Sequence, residues 1–124
     1  MQIQHKRETT DLPDFKVHNK TYKFTTRGEM GFIDLSEKIQ EEFCKSAIKN
    51  GIVHVFAPQA TGVLILTENE NALLDNIKVF LEELAPKNVV YPHPSNVHSH
   101  LCAMILPPDK TLQVIDGKVE FGTW

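Results

Sequence analysis

The sequence predicts an α+β domain with antiparallel sheets, whose elements run roughly in the order β-α-β-β-α-β-β-β. Two segments show helical periodicity, and strand-rich segments joined by a short turn separate them. Two further strand-like segments are joined by Asp116-Gly117, which is a strong hairpin signal. Since strands predominate and do not alternate strictly with helices, an α+β fold is favoured over a doubly wound parallel sheet.

The composition is that of one globular domain covering residues 1–124. Apolar residues make up 41% of the chain and charged residues 23%, which argues against disorder. The net charge is −3 and no run of Lys and Arg exceeds two residues, so we expect no nucleic-acid partner. No apolar run approaches the roughly 20 residues of a membrane span, and the first residues lack the apolar core of a secretory signal. We therefore expect a cytoplasmic protein with no membrane partner.

The chain begins with a mostly polar segment, residues 1–14. It is interpreted as an arm or an added strand, and residues 1–20 as a possible N-terminal extension. Residues 15–26 are rich in aromatic and β-branched side chains and predict a hairpin that turns at His18-Asn19. Residues 27–31 predict a second turn.

The first helix is predicted to begin at Asp34, with Glu37 completing a capping box. Asn50-Gly51 is expected to end it in a left-handed conformation. One face of this helix is apolar and is expected to enter the core, and it carries Leu35, Ile39, Phe43, Ala47 and Ile48.

Residues 52–57 form an apolar run of strand length that His54 interrupts, and residues 63–67 predict another strand. A second helix is predicted from about Asn71 to Ala85, because Pro86 cannot continue it. Its apolar face carries Leu73, Ile77, Phe80, Leu81 and Leu84.

A proline-rich loop covers residues 86–94, and the run Leu101 to Leu106 is interpreted as a buried strand. Residues 111–115 and 118–124 then form the predicted hairpin around Asp116-Gly117. The two cysteines, Cys44 and Cys102, are isolated in sequence, so each is interpreted as a small core residue rather than as a zinc ligand.

The segment His98-Ser99-His100 is the first candidate site. On an extended chain, residues two apart point to the same face, so Asn96, His98 and His100 would form one polar row. Paired imidazoles are good ligands for zinc or a similar ion. The alternative is a solvated loop that contains histidines by chance.

A metal site there would need a third ligand. His93 is nearest in sequence, and Glu68, Glu70 and His54 are the other candidates. Three protein ligands with one open position would make a catalytic zinc centre. Without a metal, the same histidines could bind phosphate or transfer a proton.

Residues 58–69 are the second candidate site. Gly62 permits close backbone approach, and Thr61 with neighbouring N–H groups could hold an anion. Glu68 and Asn69 lie at the start of the second helix. The alternative is structural: Asn69 or Thr67 caps that helix and Glu68 complements its dipole.

Three blocks of sequence stand in the order seen in one known family. They are GIVHVFAPQATGVLILTEN, NVHSHLCAMIL and IDGKVEFGTW, and the most specific parts are N-x-x-S-H-L and D-G-x-x-x-x-G-T-W. From about Tyr22 to Trp124, the chain resembles the YjbQ-like family, which is also known as the secondary thiamine-phosphate synthase family.

The resemblance implies a fold with two antiparallel β-sheets and two helices, assembled as a homotrimer. It also implies a histidine-lined pocket near subunit boundaries, which holds an anion or a divalent metal such as zinc or magnesium. Some members resemble enzymes with weak thiamine-phosphate synthase activity, which join a pyrimidine diphosphate to a thiazole phosphate.

Carried over by position, Glu68 and His100 would be catalytic. The resemblance favours a metal site at His98 and His100, because relatives have either His or Asp at position 98 and both can bind a metal. His93 joins this predicted metal site as the histidine nearest in sequence. The side chains expected to bind substrate are Thr61, Asn69, Asn96 and Ser99.

The chain departs from the family pattern in three places. Gln59 stands where many relatives have His, and Pro107 replaces a usual Gly. The chain also stops at Trp124, before a further strand of the family. The residues leave three functions open: an enzyme acting on a small phosphorylated substrate, a non-catalytic trimer that binds a ligand or metal, and a metal-dependent hydrolase of another substrate.

Overall fold

A computed structural model describes residues 8–12, 15–28, 30–93 and 95–123. Within these residues the chain forms five strands and three helices, which confirms an α+β fold but adds one helix to the two predicted. The strands are β1 (Glu8–Leu12), β2 (Phe15–Asn19), β3 (Gly51–Phe56), β4 (Asp109–Ile115) and β5 (Lys118–Val119). The helices are α1 (Ser36–Ser46), α2 (Asn71–Leu84) and α3 (Val97–Ile105).

The strands β1 and β2 form an antiparallel pair that runs from Glu8 opposite Asn19 to Leu12 opposite Phe15. The predicted turn at His18-Asn19 is therefore wrong, because both residues end β2. Residues 1–7 and 13–14 of the predicted arm lie outside the described residues, as does Glu29 of the predicted second turn.

A second antiparallel sheet has the strand order β3-β4-β5. Asp116 and Gly117 connect β4 to β5, and both have positive φ values, of 50° and 77°. This pattern is that of a type I′ turn, so the predicted hairpin is confirmed. Its second strand ends at Val119, and Trp124 lies outside the described residues.

The helix α1 covers the inner face of this sheet. Phe43 from α1 packs with Leu112, Val114 and Val119, which are all at least nine-tenths buried. Asp34 Oδ1 accepts a hydrogen bond from the Ser36 N–H at 2.9 Å. The N-cap residue of α1 is nevertheless Leu35, and no side chain makes a capping hydrogen bond there, so the predicted capping box of Asp34 and Glu37 is wrong. The helix ends at Ala47, whose φ is 58°, so the predicted end at Asn50-Gly51 is wrong.

The Ser46 hydroxyl explains this earlier end. It donates to the Phe43 carbonyl at 2.6 Å and accepts from the Ile48 N–H at 3.1 Å, which turns the chain out of the helix. Because the helix ends before Asn50, Gly51 is the first residue of β3 and not part of a helix cap.

The helix α2 is confirmed, and Pro86 follows its C-cap residue Ala85. Its N-cap is Glu70, whose carboxylate accepts from the N–H groups of Ala72 and Leu73. Neither Asn69 nor Thr67 caps it. Two residues of its predicted core face, Phe80 and Leu84, are more than half exposed.

The predicted strand from Leu101 to Leu106 is wrong, because these residues belong to α3 and its C-cap. Cys102 of α3 is buried with Leu81 and Ala85, so the apolar run packs on a neighbouring helix instead of in a sheet. The predicted strand at residues 63–67 is also not formed. Leu64 instead donates its N–H to the Pro107 carbonyl at 3.0 Å.

None of the helices in the described part of the chain is long and apolar enough to cross a membrane.

Candidate functional site

The helical conformation of α3 changes the geometry of the histidine segment. Residues two apart on an α-helix differ by about 200° around its axis, whereas on a strand they share a face. His98 and His100 therefore point to different sides of α3. The predicted row of Asn96, His98 and His100 on one face is wrong.

His98 faces α2. Its Nδ1 donates to the carbonyl oxygen of Ala85, which is 1% exposed. Its Nε2 lies 3.9 Å from Cys102 Sγ, and the Cys102 thiol donates to the Leu81 carbonyl at 3.7 Å. Burial, with the nearby charge of Glu82, raises the pKa of Cys102. This cluster joins the end of α2 to α3, and it occupies the Nδ1 atom of the half-buried His98.

His100 lies on the wall of an open groove of about 580 Å³. We call this the His100 groove, and its walls come from the end of β3, the turn after it, α3 and the segment before β4. The lining residues are Phe56, Ala57, Pro58, Gln59, Ala60, Gly62, His100, Ala103, Met104 and Pro108. Its surface is thus mainly apolar, with the His100 imidazole and the Gln59 amide as polar side chains.

His93 contacts His100 from the proline-rich loop. The two rings meet edge to face, with their planes at 90° and their centroids 5.5 Å apart. His93 is exposed and His100 is half-buried. The structure therefore pairs His100 with the more distant histidine of the loop instead of with His98.

The turn after β3 forms one side of the groove. Gln59 donates its N–H to the Ala57 carbonyl at 2.8 Å, and Gly62 donates to the Gln59 carbonyl at 3.0 Å. A Cβ placed on Gly62 would lie 3.5 Å from the nearest side-chain atom, which is an ordinary contact. Thr61 is half-buried in this turn and is not among the lining residues.

Glu68 and Asn69 lie on the approach to α2. Asn69 Nδ2 donates to Asp34 Oδ2 at 3.0 Å, which links the starts of α1 and α2. The Ser36 N–H, bound to the same carboxylate, is the main cause of a lowered Asp34 pKa. Glu68 is exposed, and neither Glu68 nor Asn69 lines the His100 groove.

Asn96 and Ser99 lie in the first turn of α3. The Asn96 carbonyl accepts from the Ser99 N–H at 3.0 Å and from the His100 N–H at 3.4 Å. The Asn96 side chain makes no capping hydrogen bond and is exposed. These backbone hydrogen bonds form the first turn of α3, in which His100 lies.

The full set of His93, His98 and His100 does not gather around one point. In the described ranges, no group of three or more His, Cys, Asp or Glu side chains is arranged to hold a metal ion. Of the three histidines, only His93 and His100 are in ring contact. His98 instead donates a hydrogen bond to Ala85 at the end of α2.

The family model described as UPF0047 protein YjbQ-like matches residues 20–124, which is most of the chain. This chain belongs to the YjbQ-like family. A UPF0047 protein from Methanothermobacter thermautotrophicus is 32% identical over 112 residues, which cover 88% of this chain and 78% of the relative.

Solved structures of YjbQ-like proteins share the fold. An uncharacterised conserved protein of the yjbq/upf0047 family from Clostridium acetobutylicum superposes with a TM-score of 0.77 at 28% identity, covering 83% of this chain and 81% of that one. A YbjQ-like protein of unknown function from Sulfolobus solfataricus has the same TM-score and identity, covering 82% and 75%.

In this YjbQ-like chain, sequence reasoning missed the apolar walls of the groove. Ala103 and Met104 lie three and four residues after His100, the spacing that places side chains on one face of a helix. A helical interpretation of residues 97–105 would have grouped them with His100. Phe56 is the last residue of β3. The sequence predicts it only as part of a buried strand, but its side chain is 57% exposed.

Proposed function

We propose that this chain binds a small phosphorylated heteroaromatic compound in the His100 groove and acts as a secondary thiamine-phosphate synthase. The observation that carries the proposal is the placement of the His100 imidazole on the wall of a mainly apolar groove. The groove is open to solvent, and its volume of about 580 Å³ would admit a compound of this size. The proposal includes a homotrimer, which rests on the family resemblance, and a cytoplasmic location, which rests on the composition of the sequence.

The groove offers complementary surfaces to such a compound. A pyrimidine or thiazole ring would pack on Phe56, Ala103 and Met104, while the phosphate would lie toward His100 and His93. A protonated imidazole is a good partner for phosphate oxygens, because charge-assisted hydrogen bonds are about twice as strong as neutral ones. Gln59 would supply a neutral amide where many relatives have a histidine.

In the proposed reaction, the pyrimidine carbon that carries the diphosphate forms a new bond to the thiazole nitrogen. The bond from that carbon to the diphosphate oxygen breaks, and pyrophosphate leaves with the bonding electron pair. Negative charge develops on the departing oxygen, and His100 would stabilise it by a hydrogen bond.

The remaining roles rest on the family pattern. Glu68 is the proposed acid/base, and Thr61, Asn69, Asn96 and Ser99 are proposed to position the substrate. None of these side chains lines the His100 groove in one copy of the chain. Substrate contact with them would extend beyond the groove.

A divalent ion, zinc or magnesium, belongs to the same proposal. The His93 and His100 pair fits an ion that is shared with substrate phosphate, and two imidazoles suit zinc better than magnesium. His98 does not belong to this set, because it lies on another side of α3, against Ala85 at the end of α2. Such an ion would neutralise charge on the diphosphate.

Turnover tests the proposal directly. Purified protein is incubated with the pyrimidine diphosphate and the thiazole phosphate, with and without chelator, and thiamine phosphate and pyrophosphate are measured. His100→Ala should abolish product formation, whereas His98→Ala should retain it at a temperature where that variant is folded. Unchanged turnover in His100→Ala would remove His100 from the mechanism.

A second candidate is a non-catalytic binding protein. It is favoured by the lining of the His100 groove, which contains no Asp or Glu among the described residues. This candidate predicts stoichiometric binding of the thiazole phosphate that depends on His100, with no pyrophosphate released. The same incubation separates the two candidates.

A further inference from the structure

The exposed face of the β3-β4-β5 sheet brings together His54, Asp109 and Thr111, none of which lines the His100 groove. His54 of β3 lies opposite Thr111 of β4 in the strand register, and Asp109 is the residue opposite Phe56. Since side chains two apart share a face, Asp109 and Thr111 both flank His54. The His54 and Asp109 side chains are 51% and 45% exposed, so both are open to solvent.

The distance between the His54 and Asp109 side chains suits a shared metal ion. His54 Nε2 lies 3.7 Å from Asp109 Oδ2, which is too long for a hydrogen bond. Two such atoms bound to one zinc ion at about 2.1 Å, with a tetrahedral angle between them, are separated by about 3.4 Å. The observed gap is therefore close to the span of two ligands on one ion.

Thr111 orients the His54 ring for metal binding. The His54 Nδ1 and the Thr111 Oγ1 are 2.9 Å apart. When Nδ1–H donates to this hydroxyl, the lone pair of the neutral ring lies on Nε2, on the side of Asp109. Histidines that bind metals usually donate their other ring N–H to an oxygen in this way.

We propose that His54 and Asp109 bind a divalent transition-metal ion such as zinc, with Thr111 as the positioning residue. One imidazole and one carboxylate are a donor pair that zinc accepts, and water completes the coordination. Neither side chain lines the His100 groove, so the site is independent of the proposed function. His54 and Asp109 are both about half exposed, and a contact between exposed polar side chains adds little stability.

The test is a titration of the protein with zinc chloride alone. Calorimetry gives the affinity, and side-chain ¹⁵N NMR of the histidines shows which ring nitrogen binds. The Nε2 resonance of His54 should shift on zinc addition. His54→Ala and Asp109→Asn should each weaken this site at least about tenfold, and Thr111→Val should weaken it by about tenfold through lost orientation.

Two matched variants separate this site from the others. Gln113→Ala lies on the same exposed face of β4 and should leave the affinity unchanged. His100→Ala should also leave the His54 shift unchanged. If zinc moves only the His93 and His100 resonances, or if His54→Ala and Asp109→Asn both bind zinc as tightly as the parent protein, the proposal is overturned.

Discussion

The imidazole of His98 donates a hydrogen bond from Nδ1 to the carbonyl oxygen of Ala85. Ala85 follows the last residue of α2 and is almost completely buried, while His98 lies in the first turn of α3. The bond therefore joins two consecutive helices where the proline-rich loop connects them. His98 and His100 therefore differ in role. His98 holds α2 and α3 together, whereas His100 lines the groove.

Replacing His98 should destabilise the protein. In His98→Ala the buried Ala85 carbonyl loses its donor, and an unsatisfied buried group costs about 1–3 kcal/mol. Urea unfolding measures this change in the free energy of unfolding. The matched variant His100→Ala should alter stability far less, and an equal loss in both variants would contradict the distinct roles of these residues.

Glu70 should make stability depend on pH. Backbone N–H groups of Ala72 and then Leu73 lower the pKa of its carboxyl below the ordinary value of 4.5. A depressed folded-state pKa means that the carboxylate stabilises the protein fully above the unfolded value, and that this contribution is lost as the pH falls through the folded value.

The variant Glu70→Gln should therefore have a lower Tm than the parent protein at pH 7. The difference should shrink below about pH 4.5, as the parent carboxylate becomes protonated. Glu68→Gln removes the same charge two residues earlier, outside the cap, and serves as the control. A Tm difference that stays constant down to the lowest pH would exclude the carboxylate as its source.

Ala47 should respond to glycine. It is an exposed alanine at φ 58°, a left-handed conformation that costs non-glycine residues roughly 1–2 kcal/mol. Ala47→Gly should stabilise the protein by about 0.5–1 kcal/mol in urea unfolding. Ala72→Gly, in the first turn of α2, should instead destabilise it, because glycine loses more backbone entropy in a helix than alanine does. Destabilisation by both changes would argue against a left-handed Ala47.

The two cysteines should differ in reactivity. Cys44 is exposed, contrary to the core position expected from its sequence, whereas Cys102 is buried and burial raises its pKa. A thiol reagent at neutral pH should modify Cys44 first and Cys102 at least about tenfold more slowly, because the thiolate is the reactive form. Mass spectrometry identifies the labelled residue. Cys44→Ala should remove the fast phase, and equal rates in the native protein would contradict the burial of Cys102.

The elements predicted best are those whose signals are local. The positive φ values of Asp116 and Gly117 follow from the chemistry of an Asp-Gly turn. The end of α2 follows from Pro86, which lacks an N–H and cannot continue a helix. These features depend on a few neighbouring residues, so distant packing does not change them.

The run Leu101 to Leu106 was misassigned because six apolar residues satisfy both a buried strand and a buried helix. Its conformation is decided by its packing partner, α2, which contacts Cys102 through Leu81 and Ala85. That partner is distant in sequence and leaves no mark in the periodicity of the run. This misassignment also made the predicted site wrong. His98 and His100 would share a face only if the chain were extended, and they lie in a helix.

His93 was predicted to join His98 and His100, but its contact with His100 alone could not be predicted. This contact depends on the path of the proline-rich loop, which brings the two rings to a centroid distance of 5.5 Å. His100 was selected from its sequence block, and it lies on the wall of the His100 groove. Its catalytic role stays a prediction.

An NMR titration of the ¹⁵N-labelled protein with thiazole phosphate tests the central claim, binding in the His100 groove, most directly. The account predicts amide shifts centred on the groove residues Ala60, Gly62, His100 and Ala103. It also predicts a loss of affinity of at least about tenfold, or 1.4 kcal/mol, in His100→Ala, with affinity retained in folded His98→Ala. Shifts centred elsewhere, or unchanged affinity in His100→Ala, would contradict it.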